Sequence, residues 1–214
     1  MTGLTLQGAR GWATWLETPS AARLAPVTSS DPLSQPDDDR ASASGEGART
    51  LVLMRHARAE DAAASDSLRQ LSSSGRRDAA AAGRWLAARG LRPDHALVSS
   101  AVRTHQTWEQ VCVGAGWSLE PQLDRGMYEA GTEAALDLVR LVRSEVSTLV
   151  VVGHNPTVGT LAQLLDDGEG DQEASMGLLS GYPTAAITVY AVATAWADLG
   201  EQTATLRAHH VARA

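Results

Sequence analysis

Four side chains at three strand ends carry the chemistry of this chain. In Leu51-Val-Leu-Met-Arg-His-Ala-Arg-Ala-Glu60 a short apolar run stops abruptly at Arg55-His56. Arginine offers a planar, permanently charged fork that matches phosphate oxygens. Neutral imidazole can act as a nucleophile near neutral pH. Such a pair after a strand is commonly surface decoration, and recurrence is what gives it weight. Leu149-Val-Val-Val-Gly-His-Asn-Pro-Thr157 is a second apolar run, ending at His154. Asn155 stands where an N-cap belongs and Pro156 suits a first helical position, so His154 is expected beside free N–H groups that favour anions. The third instance is His95-Ala-Leu-Val-Ser-Ser-Ala-Val-Arg-Thr104. Ser99 and Ser100 are cap candidates there, and Arg103 falls in the first helical turn, where a cation is unfavourable unless an anion lies between.

The elements that must position these groups follow from hydropathy patterning. Continuous apolar, β-branched runs at 51–54, 95–98 and 148–152 read as buried parallel strands, whose ligand sites lie at their carboxyl ends. A short strand is expected at 118–123, and β-rich runs at 185–193 and 203–211 complete a sheet. Helices are expected over 75–89, with Ser72 to Ser74 as cap candidates, and over 101–114, 132–145 and 156–165. Alternation of strand and helix from residue 50 implies an α/β fold, a three-layer α/β/α sandwich with a mostly parallel central sheet. Residues 50–214 form that domain. Residues 1–49 are expected to be a disordered extension, because 26–48 are rich in Ser, Asp, Pro and Gly. A brief helix within 4–24 is compatible with this.

Composition sets limits. The 214 residues, 43% of them hydrophobic, suffice for one sizeable core. There is no lysine and no phenylalanine, and the formal charge of −7 lacks the basic excess of a nucleic-acid binder. Cys112 is the sole cysteine, so no intramolecular disulfide can form, and it is expected to pack near Trp108. No apolar run approaches membrane-spanning length and the N-terminus does not read as a signal peptide, so a cytoplasmic location is expected. Several phosphate-handling and hydrolytic chemistries lack their residues. A Cys-x5-Arg loop would need arginine where Ser118 stands, a P-loop needs a lysine, and a nucleophile elbow would need serine at Asn155. His209 and His210, adjacent on a strand, point to opposite faces and make a poor metal pair.

Arg55, His56, Arg103 and His154 at three strand ends resemble the histidine phosphatase superfamily, the phosphoglycerate-mutase-like fold with an Arg-His pair after its first strand. Within it, the likeness is to the SixA-type phosphohistidine phosphatase branch. Ser65-Asp-Ser-Leu-Arg-Gln-Leu-Ser-Ser-Ser-Gly75 resembles that family's loop before the first helix, Ser99-Ser-Ala-Val-Arg-Thr-His-Gln-Thr107 its second arginine motif, and Tyr182-Pro-Thr-Ala-Ala-Ile187 its late-strand segment. The usual Arg-His-Gly is here Arg-His-Ala, with Ala57 restricting the backbone. The resemblance implies His56 as nucleophile of a metal-independent phosphatase, without cofactor, passing through a phosphohistidine intermediate. Arg55, Arg103 and His154 would then bind the phosphoryl oxygens. Glu129, in Leu123-Asp-Arg-Gly-Met-Tyr-Glu-Ala130, is the candidate general acid. The expected substrate is phosphohistidine on a protein, since the short connection from Arg103 to the third strand leaves a shallow site. A small-molecule phosphomonoesterase and a non-catalytic phosphate-binding module are the alternatives. No nucleic-acid or membrane partner is expected, and a monomer is.

Overall fold

The computed structural model describes residues 48–214, apart from Ala130. The expected disorder of the N-terminal extension falls, up to residue 47, outside the described residues. The first strand, β1 (Arg49–Arg55), starts two residues before the apolar run at 51–54 and one before the expected start of the domain at 50. Arg49 pairs with Val192, and its buried guanidinium donates to the Thr194 carbonyl at 3.1 Å.

The order continues α1 (Ser73–Ala88), β2 (His95–Ser99), α2 (Val102–Ala115), β3 (Gln122–Asp124), α3 (Gly126–Glu129), α4 (Thr132–Arg140), β4 (Thr148–Gly153), α5 (Thr157–Leu165), α6 (Gln172–Leu179), β5 (Ala186–Val192) and β6 (Ala204–Val211). One six-stranded sheet runs β3-β2-β4-β1-β5-β6. Its first four strands are parallel, β5 runs antiparallel to β1, and β6 runs antiparallel to β5. This is the mostly parallel α/β/α sandwich that strand–helix alternation implies. Successive residues of β1 and β4 serve opposite faces. Leu51, Leu53, Leu149 and Val151 pack with α4, α5 and α6, whereas Val52, Met54, Val150 and Val152 pack with α1 and α2. Both faces are covered, which is why these strands read as unbroken apolar runs. The consequence for function is that β2, β4 and β1 are neighbours, so the side chains that follow them share one edge of the sheet.

Several boundaries differ from expectation. β3 occupies 122–124 instead of 118–123, because it pairs only with Leu97 to Ser99 at the far end of β2. α4 stops at Arg140 instead of reaching 145. Leu141 beyond it is 79% exposed, so no burial sustains another turn. α3 and α6 are unexpected helices. α6 buries only Ala174 and Leu178 and exposes Met176 and Leu179, which hides its periodicity. His209 and His210 do face opposite sides: His210 stacks on Trp85 of α1 at 4.6 Å, and His209 lies 5.7 Å from Tyr182.

α1 and α2 touch backbone to backbone at two glycines. A methyl at Gly83 would overlap the Val111 carbonyl, and one at Gly114 the Ala80 carbonyl. Helix propensity alone would favour alanine at Gly83 by about 1 kcal/mol. Overlap with a rigid backbone outweighs that gain, so Gly83→Ala is expected to destabilise by ~1–3 kcal/mol. Urea unfolding of the two proteins checks the sign, and an equal or raised stability would contradict the close approach.

Candidate active site

Arg55 closes β1 and His56 follows it, pinned by its backbone. The His56 N–H donates to the Gly153 carbonyl at 3.0 Å, and its carbonyl accepts from Ala185 N–H at 3.1 Å. His56 Nδ1 lies 2.8 Å from the Ala57 carbonyl. A carbonyl can only accept, so Nδ1 carries the proton and Nε2 keeps its lone pair. The Arg55 guanidinium donates to the Tyr182 carbonyl at 2.9 Å, and the Asn155 amide donates to the same oxygen at 2.8 Å. The Tyr182 loop thus ties the ends of β1 and β4 together. Tyr182 is anchored from behind by its hydroxyl, which bonds the Leu53 carbonyl and Thr188 Oγ1 at 2.8 Å each.

His154 follows β4, with its ring 5.2 Å from that of His56. Its Nε2 is 2.8 Å from Ser99 Oγ, while Nδ1 is buried and has no partner among the described residues. Either ring nitrogen can carry the His154 proton; in the tautomer in which the Ser99 hydroxyl donates to Nε2, Nδ1–H is a free donor. Two cap expectations change here. Ser99 does not cap α2, since its hydroxyl is engaged by His154 and Ala101 holds the N-cap position without a side-chain bond. Asn155 does not cap α5, because its amide reaches to Tyr182, and the helix begins only at Thr157.

Arg103, in the first turn of α2 as expected, is 6% exposed. Two of its five N–H donors go to Asp66, one to the main-chain carbonyl at 2.6 Å and one to Oδ2 at 2.9 Å. Three donors remain, including a buried Nε–H without a partner among the described residues. The Nε of Arg55 is in the same condition. Asp66 heads a 3-10 turn, Asp66–Leu68, and also accepts from Tyr128 Oη at 2.7 Å and from Arg69 at 3.2 Å. Those three donors hold its carboxyl at about 2, the Tyr128 hydroxyl foremost.

Asp66, Arg69 and Tyr128 were not singled out as site residues by sequence reasoning. The signal available was the polar Ser65-Asp-Ser-Leu-Arg69 loop, an aspartate and an arginine three residues apart. For Tyr128 there was none, since it lies in the short, unexpected α3. The structure brings Arg55, His56, Arg103 and His154 together. It does not join Glu129 to them. Glu129 is exposed at the end of α3, with no hydrogen bond or ion pair to the cluster, and its neighbour Tyr128 meets the His154 ring edge-on at 5.4 Å.

Burial lowers the pKa of His56 to about 4, with Arg103, Arg55 and Arg69 adding to the effect. Burial is the larger cause, ahead of the neighbouring cations. His154 falls to about 3 through burial, then through His56 and Arg103. Both imidazoles are neutral at neutral pH, beside three guanidiniums. A neutral Nε2 flanked by unpaired buried donors is an arrangement able to attack an electrophilic phosphorus and to stabilise its oxygens.

The histidine phosphatase superfamily (branch 1) model matches residues 51–138. An uncharacterised protein of Mycobacterium tuberculosis is 35% identical over 162 residues, 75% of this chain and 100% of that protein. The phosphohistidine phosphatase SixA of Escherichia coli is 34% identical over 127 residues, 56% of this chain and 75% of the relative. The chain belongs to the histidine phosphatase superfamily. Among solved structures, one described as a SixA phosphohistidine phosphatase from Nakamurella multipartitia superposes with a TM-score of 0.68 at 34% identity, covering 78% of this chain and 98% of the other. This histidine phosphatase is therefore an enzyme that acts on a phosphorylated substrate, built on the phosphoglycerate-mutase-like fold. Its Arg-His-Ala departure is accommodated without strain. Ala57 is not among the positive-φ residues, and its N–H is satisfied by Thr107 Oγ1 at 3.0 Å. No described helix is long and apolar enough to cross a membrane.

Proposed function

We propose that this phosphatase removes the phosphoryl group from phosphohistidine on a protein, with His56 as nucleophile. His56 Nε2 attacks phosphorus in line, and Arg55, Arg103 and His154 Nδ1–H take the equatorial oxygens as charge gathers. Water then hydrolyses phospho-His56. Positioning and electrostatic stabilisation carry most phosphoryl transfers, and no metal is required by this scheme. One observation favours a phosphohistidine substrate. The carboxyl hydrogen-bonded into the cluster, that of Asp66, is held ionised at about 2 and cannot donate a proton near neutral pH. Expelling an alkoxide needs such a donor, whereas imidazole, with a reference pKa of about 6.5, is a far weaker base and leaves readily. The connection from α2 to β3 carries no inserted element, only residues 116–121, so a phosphorylated side chain on a protein surface can approach. The names of the phosphohistidine phosphatases it resembles point the same way.

Glu129 provides the test. Exposed at the end of α3 and adjacent in sequence to Tyr128, it is the candidate acid for alkoxide departure, where general acids contribute ~10²-fold or more, whereas imidazole departure does not need one. Glu129→Gln is expected to slow alkyl phosphate hydrolysis about tenfold or more and to change turnover of a phosphohistidine peptide less than about twofold. Equal, large losses on both substrates would replace this reading with a small-molecule phosphomonoesterase.

A further inference from the structure

Asp66 is locked in place by donors from three segments, yet the scheme above gives it no part. Oδ2 accepts from Arg103 of α2 at 2.9 Å and from the Tyr128 hydroxyl of α3 at 2.7 Å. Among the described residues Oδ1 accepts only from Arg69, at 3.2 Å, and the Asp66 side chain is 56% exposed. A carboxylate has about four acceptor sites, so Oδ1 keeps an open lone pair beside the guanidinium assigned to the phosphoryl oxygens. We propose that Asp66 accepts the N–H of the distal ring nitrogen of a substrate phosphohistidine and so holds that ring in its protonated form. This rests on the phosphohistidine reading above and deepens it.

The chemistry balances without an acid. In the protonated phosphoimidazole, the P–N bond breaks with its electron pair going to the ring nitrogen. The distal proton stays where it is, and neutral imidazole departs. The new P–N bond forms to His56 Nε2. His56 then stands in the condition its substrate had, because the Ala57 carbonyl holds the proton on Nδ1. Phospho-His56 can therefore expel neutral imidazole in turn when water attacks phosphorus, releasing phosphate and the starting enzyme. In this arrangement the Ala57 carbonyl serves one ring and the Asp66 carboxylate the other. The charge on Asp66 matters more than its shape, since a neutral amide would not favour an imidazolium.

The groups facing Asp66 are Arg69, Arg103 and Tyr128, with His154 near enough to sense its charge. Guanidinium groups do not deprotonate in proteins, and the bond to Asp66 pushes the Tyr128 phenol upward, away from ionisation. Between about pH 5 and 8, the titrating partner is then the substrate ring itself. The experiment measures kcat/KM of the full chain for a phosphohistidine peptide and for 4-nitrophenyl phosphate, whose leaving group has no N–H. Wild type, Asp66→Asn and Asp66→Glu are compared across that pH range. Asp66→Asn is expected to lower the peptide-to-aryl ratio about tenfold or more near neutral pH, the worth of one hydrogen bond to a charged group. The deficit should shrink as pH falls and protonates the ring, and Asp66→Glu should recover most of the ratio. Losses in equal proportion on both substrates, or a ratio independent of pH, would overturn the proposal and leave Asp66 as a brace for Arg103. A wild-type enzyme that cleaves the aryl phosphate and not the peptide would overturn the phosphohistidine reading itself.

Discussion

Replacing His56 by alanine is expected to take turnover of an aryl phosphate to background, a loss on the order of 10⁵-fold or more, as when other covalent nucleophiles are removed. The fold should survive, because the ring is only half-buried and its one hydrogen bond is to its own neighbour, Ala57. Acid-quench trapping of enzyme mixed with labelled substrate should yield an acid-labile phosphate on wild type and none on the variant. An acid-stable phosphoenzyme, or an active His56→Ala protein, would sink the assignment. The same residue sets an acid limit. A protonated imidazole has no lone pair to offer, and His56 is lowered from its ordinary 6.5 to about 4. Activity due to His56 is therefore present above about 4 and lost as pH falls through it. The kcat/KM profile, corrected for ionisation of the substrate, should stay high well below 6.5. A limb near 6.5 would mean that His56 is neither buried nor surrounded by cations as the structure has it.

What the sequence reveals about this site follows from which interactions are local. Arg55, His56 and His154 are legible because each ends an unbroken apolar run, and burial of β1 and β4 on both faces makes those runs unmistakable. Arg103 is legible through a local conflict, a cation in the first turn of a helix. Asp66, Arg69 and Tyr128 are not legible in the same way. Their meeting depends on a 3-10 turn and a four-residue helix, elements too short to carry periodicity, brought together across 62 positions by tertiary packing. The cap expectations at Ser99 and Asn155 changed for a related reason. A local rule assigns each side chain to the nearest helix start, but His154 and the Tyr182 carbonyl are long-range partners that win the competition. Glu129 shows the converse. A position close to the right one in sequence is one helical step, about 100°, away from the side chain that meets the cluster.

Arg103 is the residue at which geometry and charge can be separated. Arg103→Lys keeps one positive charge but exchanges a planar fork of five donors for an ammonium with three. Asp66 already engages two N–H groups of the arginine, on two different nitrogens, and the remaining three are what can reach a phosphoryl group. An ammonium drawn to Asp66 has three donors on one atom, too few to hold the Asp66 carbonyl, its carboxylate and two equatorial oxygens together. The interaction lost is strongest when the oxygens carry most charge, so the effect belongs in kcat more than in KM. A fall on the order of 10²–10³ in kcat is expected, the usual cost of removing one such stabilising contact. Thermal unfolding of the variant should run close to wild type, since the lysine stem can follow the buried path of the arginine and end at the same aspartate. Near wild-type kcat in Arg103→Lys would show that charge at this position suffices, or that Arg103 serves only to hold Asp66. In either case the phosphoryl clamp would have to be rebuilt from Arg55 and His154, the two other buried donors beside His56.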